Sequence, residues 1–182
     1  MDVRLSWDLF IIVFFAVIIA YSFIIGKNRT LKVIIGTYLA ILTADGLGNL
    51  FEQYLMPSIP SLSGAEGEQA LILMKIIVFI IVIVLVTVKG SFTVDVFSDK
   101  ALATRMLATF IFGVLNAGLI VSTVLVFISG FSFVNGFYGM MSATSLYMES
   151  DLVRMMVDNY NVWFALPAIA FVGVSVIEPG ME

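Results

Sequence analysis

The stretch LKVIIGTYLAILTADGLGNLF, residues 31–51, decides how this chain folds. It is apolar enough to enter a bilayer, yet small residues stand at Gly36, Ala40, Ala44 and Gly48, a four-residue step that lines one face of a helix. Lipid tails are as apolar as leucine, so helices in a membrane associate through close packing and hydrogen bonds instead of expulsion from water. A helix with a smooth face therefore belongs at the centre of a bundle. Beside that face, one turn apart, lie Asp45 and Asn49. An acid buried in lipid is costly enough that it faces protein or a water-filled cavity and takes a partner.

Composition sets the wider frame. Of 182 residues, 61% are hydrophobic and only 12% charged, and the mean hydropathy is +1.11. Soluble domains carry about a quarter charged residues, so this is an integral membrane protein. Without cysteine there is no disulfide framework, thiol nucleophile or thiolate metal site, and without histidine the commonest metal ligand and general base are missing. The reading is a non-enzyme with no cofactor and no metal. The net charge of -4 is spread over ends and loops, which argues against nucleic acid and against strong binding of anionic lipid.

Working outward, residues 9–25 form a first apolar run just long enough to span hydrocarbon. The leader MDVRLSWD holds more acid than base and no small-residue cleavage site follows, so the run reads as an uncleaved anchor with Trp7 at headgroup level. GKNRTLK, residues 26–32, has three bases and no acid, which places it inside and the N-terminus outside. After the organising helix, residues 52–69 carry Pro57, Pro60, Gly64, Gly67 and the acids Glu52, Glu66 and Glu68, a polar outer loop. Residues 70–88 return inward as a lipid-facing span whose exception is Lys75. A second inner loop, KGSFTVDVFSDK with Arg105 after it, includes Val94, Phe97 and Leu102 as an interfacial amphipathic piece. Six bases inside (Lys27, Arg29, Lys32, Lys89, Lys100, Arg105) oppose Arg4, Lys75 and Arg154 outside.

Residues 106–128 make the fourth span. Gly113 and Ala117 lie four apart with Asn116 between and Gly118 following, a second close-packing face and the natural mate of the first. Beyond Gly130 a glycine- and aromatic-rich loop presents Phe131, Phe133, Phe137, Tyr138, Met140 and Met141, either to another subunit or to the chain's own outer cap. Residues 144–160 read as an outer surface helix, with Leu146, Val153, Met156 and Tyr160 on one side and Glu149, Asp151, Arg154 and Asp158 on the other. Those acids read as a solvated face and not a cation site, because calcium ligands alternate with glycine or asparagine in a loop. The last apolar piece, VWFALPAIAFVGVSVI, is short and interrupted by Pro167, which favours a re-entrant or membrane-hugging segment over a fifth span. The expected fold class is all-α: a four-helix transmembrane bundle over residues 1–130 and an outer, membrane-associated helical tail over 131–182.

A rise of about 1.5 Å per residue puts Asp45 about 8 Å in from Leu50, and Lys75 about 8 Å in from Ala70. Two readings stay open. Either the two form an ion pair in the outer half of the bundle, or Lys75 snorkels to the headgroups while Asp45 bonds backbone or Asn49. One acid is thin evidence for an ion path, which only Asn116, Tyr38 and Thr43 could extend.

Three stretches carry a resemblance: IIGKNRTLKVIIGTYLAIL after the opening Trp7-Asp8, then FSDKALATRMLATFIFGVLNAGLIV, then TSLYMESDLVRMMVDNYNVWFALP. Their order resembles the colicin V production protein family of bacterial inner-membrane proteins. The resemblance implies a role in bacteriocin production or export and in envelope maintenance, in the cytoplasmic membrane, with lipid and a homo- or hetero-oligomer as the surroundings. The competing expectation is a small ion or proton channel subunit using Asp45.

Overall fold

A computed structural model describes residues 7–62, 64–92, 94, 102–130, 132–133, 147–148 and 150–177. Its helices are α1 (Trp7–Ile25), α2 (Lys27–Leu50), α3 (Ala65–Lys89), α4 (Leu102–Ile128), α5 (Asp151–Asp158) and α6 (Tyr160–Ile177). No strand occurs among the described residues, and α1 to α4 are each long and apolar enough to cross a membrane. The protein is an all-α membrane protein.

α1 passes into α2 at Gly26, whose φ of 78° is a backbone conformation that glycine alone adopts without strain. The chain reverses there, and the buried Ser22 and Thr30 flank the turn, with Thr30 Oγ1 donating to the Gly26 carbonyl at 3.0 Å. α2 does not stop at Leu50. It runs through a π-helical turn (Phe51–Leu55) and a 3-10 turn (Met56–Ser58) where Pro57 ends the α-type ladder. α3 begins at Ala65, so Glu66 and Glu68 sit in its first turn, where the positive end of the helix dipole stabilises acids. The expected outer loop is thus mostly helical. α4 likewise starts at Leu102, taking Arg105 into its first turn.

Packing departs from expectation at the small-residue faces. Gly36, Ala40, Ala44 and Gly48 are all buried, as are Gly113 and Ala117, but Gly36 and Gly48 face α3 and Gly113 faces α1, so these glycines do not face one another. α2 packs most extensively on α3, and α4 on α1. A Cβ added to Gly36 would come within 3.1 Å of Val86, and one on Gly48 would overlap the stem of Lys75. One on Gly113 would reach the Ser22 side chain at 3.2 Å. Each glycine is a hole filled by a side chain from a neighbour, the knobs-into-holes form of close packing. α3 is otherwise the lipid-facing helix it was expected to be, with only Gly67, Lys75 and Phe79 buried.

The C-terminal segment joins the same core. Of the helix expected over 144–160, α5 covers only Asp151–Asp158, with Ser150 as its N-cap accepting from Val153 N at 3.1 Å. Ser150 in turn donates to Asp8, which fastens α5 to the first turn of α1. Val153, Met156 and Val157 are buried against Ile11, Val121 and Leu125. α6 then bends 60° away. Pro167 does not interrupt α6, although a proline should free the carbonyl one turn back. The freed carbonyl is that of Trp163; next to it the Tyr38 hydroxyl donates to the Phe164 carbonyl, which ties α6 to α2 beside the proline. α5 and α6 together are long and apolar enough for one broken span or for a re-entrant loop, the latter being the form expected of the last apolar piece. Trp163 packs its ring onto Gly118 and stands edge-on to Phe15 at 6.0 Å.

Phe133 packs inward, stacked on Phe164 at 5.4 Å, so in its case the aromatic loop caps the chain's own core. Phe97, Phe131, Phe137, Tyr138, Met140, Met141, residues 144–146 and Glu149 lie outside the described residues.

Replacing Tyr38 with phenylalanine should lower thermal stability in detergent by about 1 kcal/mol, the usual size of an intramembrane hydrogen bond; an unchanged melting curve would leave the Phe164 carbonyl without need of it. The ridge assignment has its own test, because the chain has no cysteine. A Cβ on Gly36 would lie 3.4 Å from Val86 Cβ, and one on Gly113 3.2 Å from Ser22 Cβ, close to the roughly 3.5–4.5 Å of a disulfide. Oxidation should cross-link Gly36→Cys with Val86→Cys, and Gly113→Cys with Ser22→Cys, but not Gly36→Cys with Gly113→Cys; the reverse pattern would restore the direct meeting of the ridges.

Candidate functional site: a buried ion pair

Asp45 and Lys75 are brought together. Lys75 Nζ lies 2.8 Å from Asp45 Oδ1, with the two side chains 5% and 0% exposed. The second carboxylate oxygen accepts from Ser132 Oγ, also at 2.8 Å. Phe127 of α4 places its ring 5.7 Å beneath the ammonium, within the range where a ring face attracts a cation. Three contributions converge here: the acid from α2, the base from α3, and the hydroxyl just past the end of α4.

The local sequence explains the convergence. Asp45 is ten residues from Leu55, where the helical run past α2 ends its π turn, and Lys75 is ten residues from Ala65, where α3 starts. At about 1.5 Å per residue both stand about 15 Å from those termini. The two helices are longer than expected by matching amounts, so the depths still agree. Gly48, one turn after Asp45, leaves room for the methylene stem of Lys75 to cross α2 and deliver its ammonium. A larger residue there would push the lysine away from the acid.

Bare charges would not survive in this place. Transfer of either ion into a low-dielectric interior costs several kcal/mol even after relaxation, and only a close partner with further hydrogen bonds offsets that. Asp45 has the ammonium on one oxygen and a hydroxyl on the other. The arrangement couples α2 to α3 electrostatically, with the Asp45 side chain fully buried.

The remaining expected polar residues lie elsewhere. Asn49 is half-buried, with an Oδ1 that finds no partner among the described residues. Asn116 is 2% exposed, on α4, and its Oδ1 is also unpartnered among them. It belongs to a stripe with Thr109 and Thr123, seven residues to either side and likewise buried. α2 carries a matching stripe of Thr30, Thr37 and Ala44. Each threonine hydroxyl donates to the carbonyl four residues earlier, at 2.7 to 3.0 Å, which lets a polar side chain ride inside an apolar helix. Thr43 does the same on an exposed face and so extends no path. The seven-residue recurrence was available in the sequence; Ser132 was not, since loop residues obey no period.

At the rim, Arg154 pairs with Asp151. The Tyr147 hydroxyl donates to Asp158 Oδ1 at 2.7 Å, and this bond raises the phenol pKa above its ordinary 10.0. No group of three or more acids able to hold a metal ion occurs among the described residues. Comparisons of the chain with family models, with curated proteins and with solved structures find no match.

Removing one partner of the pair, by Asp45→Asn or by Lys75→Met, should cost about 3–5 kcal/mol of stability, and the double replacement should recover most of that loss. Ser132→Ala should cost about 1–2 kcal/mol. Denaturant titration of the purified variants in detergent measures all four. Losses that simply add in the double variant would show that the two charges do not interact.

Proposed function

We propose that this chain is a non-enzymatic integral component of an envelope or export system in the bacterial cytoplasmic membrane, acting through helix packing and partner binding, with both termini on the outer side. The observation that carries the reading is the engagement of both oxygens of Asp45, by Lys75 and by Ser132, in a fully buried setting. Charge is used to join helices.

Other features support it. The placement of Lys27, Arg29, Lys32 and Lys89 at one end of the bundle agrees with that end facing inward. Between α1, α3 and α4 lies a cleft of about 400 Å3 walled by Phe10, Phe14, Ile80, Val84, Ile120 and Val124, among other apolar side chains. An apolar helix from a second copy or another protein is of the right chemistry to seat there. The three stretches that resemble colicin V production proteins supply the envelope and export context.

A second reading, a proton- or ion-conducting subunit, is favoured by the buried stripes of α2 and α4. They run from the Gly26 turn toward Asp45, and Asn116 Oδ1 within them has an unmet hydrogen bond that water could fill.

Purified protein in liposomes separates the two. The first reading predicts no proton or cation flux above that of protein-free vesicles, together with stable self-association on cross-linking. A pH-dependent flux abolished by Asp45→Asn would overturn it in favour of the second.

A further inference from the structure

We infer that the end of the bundle where α1 turns into α2 holds a site for the headgroup of an anionic phospholipid. A cavity of about 690 Å3 opens there between the last turns of α1 and α3 and the first turns of α2. Its walls divide by chemistry. Arg29, Lys32 and Asn28 form a polar, cationic side, while Ile25, Val88 and Phe92 form an apolar one, and Tyr21 has both characters. No carboxylate lines it among the described residues.

The donors are placed for an anion. α2 starts at Lys27 without a side-chain cap, so the positive end of its dipole adds to the field of the basic side chains. Lys32 is held in position by donating to the Gly90 carbonyl at the end of α3 and by the Phe92 ring 5.4 Å from its ammonium. Its location is thereby fixed before any ligand arrives. Arg29 is exposed and has no ion pair among the described residues. Guanidinium groups bind phosphate oxygens through two parallel hydrogen bonds. Thr87 Oγ1, in the same wall, is buried and lacks a hydrogen-bond partner among the described residues.

The apolar half favours a lipid over a free phosphate. Val88 is 69% exposed, beside Leu85 and Val84 on the outward face of α3, so acyl chains running along that face would lead directly to the cationic side. Basic pockets between membrane helices on the cytoplasmic side are suited to such headgroups. A net charge of -4 argues against broad attraction to an anionic surface, but among the described residues the charged groups lining this cavity are all basic.

The full-length protein, purified in neutral detergent, would be titrated with phosphatidylglycerol, with phosphatidylcholine and with inorganic phosphate, and followed by native mass spectrometry and thermal unfolding. Phosphatidylglycerol should bind and raise the melting temperature. Arg29→Gln should weaken that binding about fivefold, as expected for one basic residue at a membrane surface. Arg154→Gln, on α5, should leave it unchanged. Equal binding of phosphatidylcholine, or equal losses from both variants, would overturn the site. Stabilisation by inorganic phosphate as large as that by phosphatidylglycerol would overturn the lipid assignment.

Discussion

Two opposite charges held 2.8 Å apart in an apolar surrounding constrain nearly everything else in this molecule. In water such a contact contributes little; in a low-dielectric medium each charge is intolerable alone and strongly bound to the other. The pair therefore fixes the relative height of α2 and α3, because a slip by one turn would separate the ions by about 5.4 Å. It also fixes their rotation, since both side chains must point into the shared interface. Ser132 extends the constraint to the chain leaving α4. Apolar packing alone could not achieve this in lipid, where isoleucine against isoleucine is hardly better than isoleucine against an acyl chain.

The glycines of α2 acquire their meaning from that pair. Gly48 admits the stem of Lys75, and Gly36, three turns below, admits Val86 near the far end of the same helix. One lysine and one valine on α3 thus register against two holes on α2, with the ion pair beside the upper one. α4 repeats the principle with different partners, taking Ser22 at Gly113 and the Trp163 ring at Gly118. α2 and α4 end up as the inner helices of the bundle, and α1 and α3 lie outside them with most of their surface toward lipid.

Sequence alone located the spans and the central helix because those depend on local hydropathy and on residue size. The common depth of Asp45 and Lys75 was also legible, since it needs only a count of residues from each end. What fills a small-residue hole was not legible: Gly36 states that something approaches closely, and not whether it is a backbone or the Val86 side chain. The glycines of the two ridges are alike and so suggest one another, whereas the groups they face, Val86, Lys75 and Ser22, are side chains unlike them. Pro167 misled for a related reason. Its missing N–H leaves the Trp163 carbonyl without its helical donor and predicts a break, yet the helix runs on to Ile177, tied to α2 beside the proline by the Tyr38 hydroxyl, 126 residues away in the chain. Prolines, glycines and glutamates read as loop and make α2 and α3 look short in the sequence, yet the same residues are at home in the last and first turns of helices.

The charge state of Asp45 is the quantity on which the account turns. Infrared difference spectroscopy of the protein in lipid bilayers at neutral pH, native minus Asp45→Asn, isolates the vibrations of that one carboxyl group. An ionised carboxylate band in the difference spectrum is the predicted result. A protonated carbonyl band in its place would mean that Asp45 is neutral and that no ion pair holds α2 to α3.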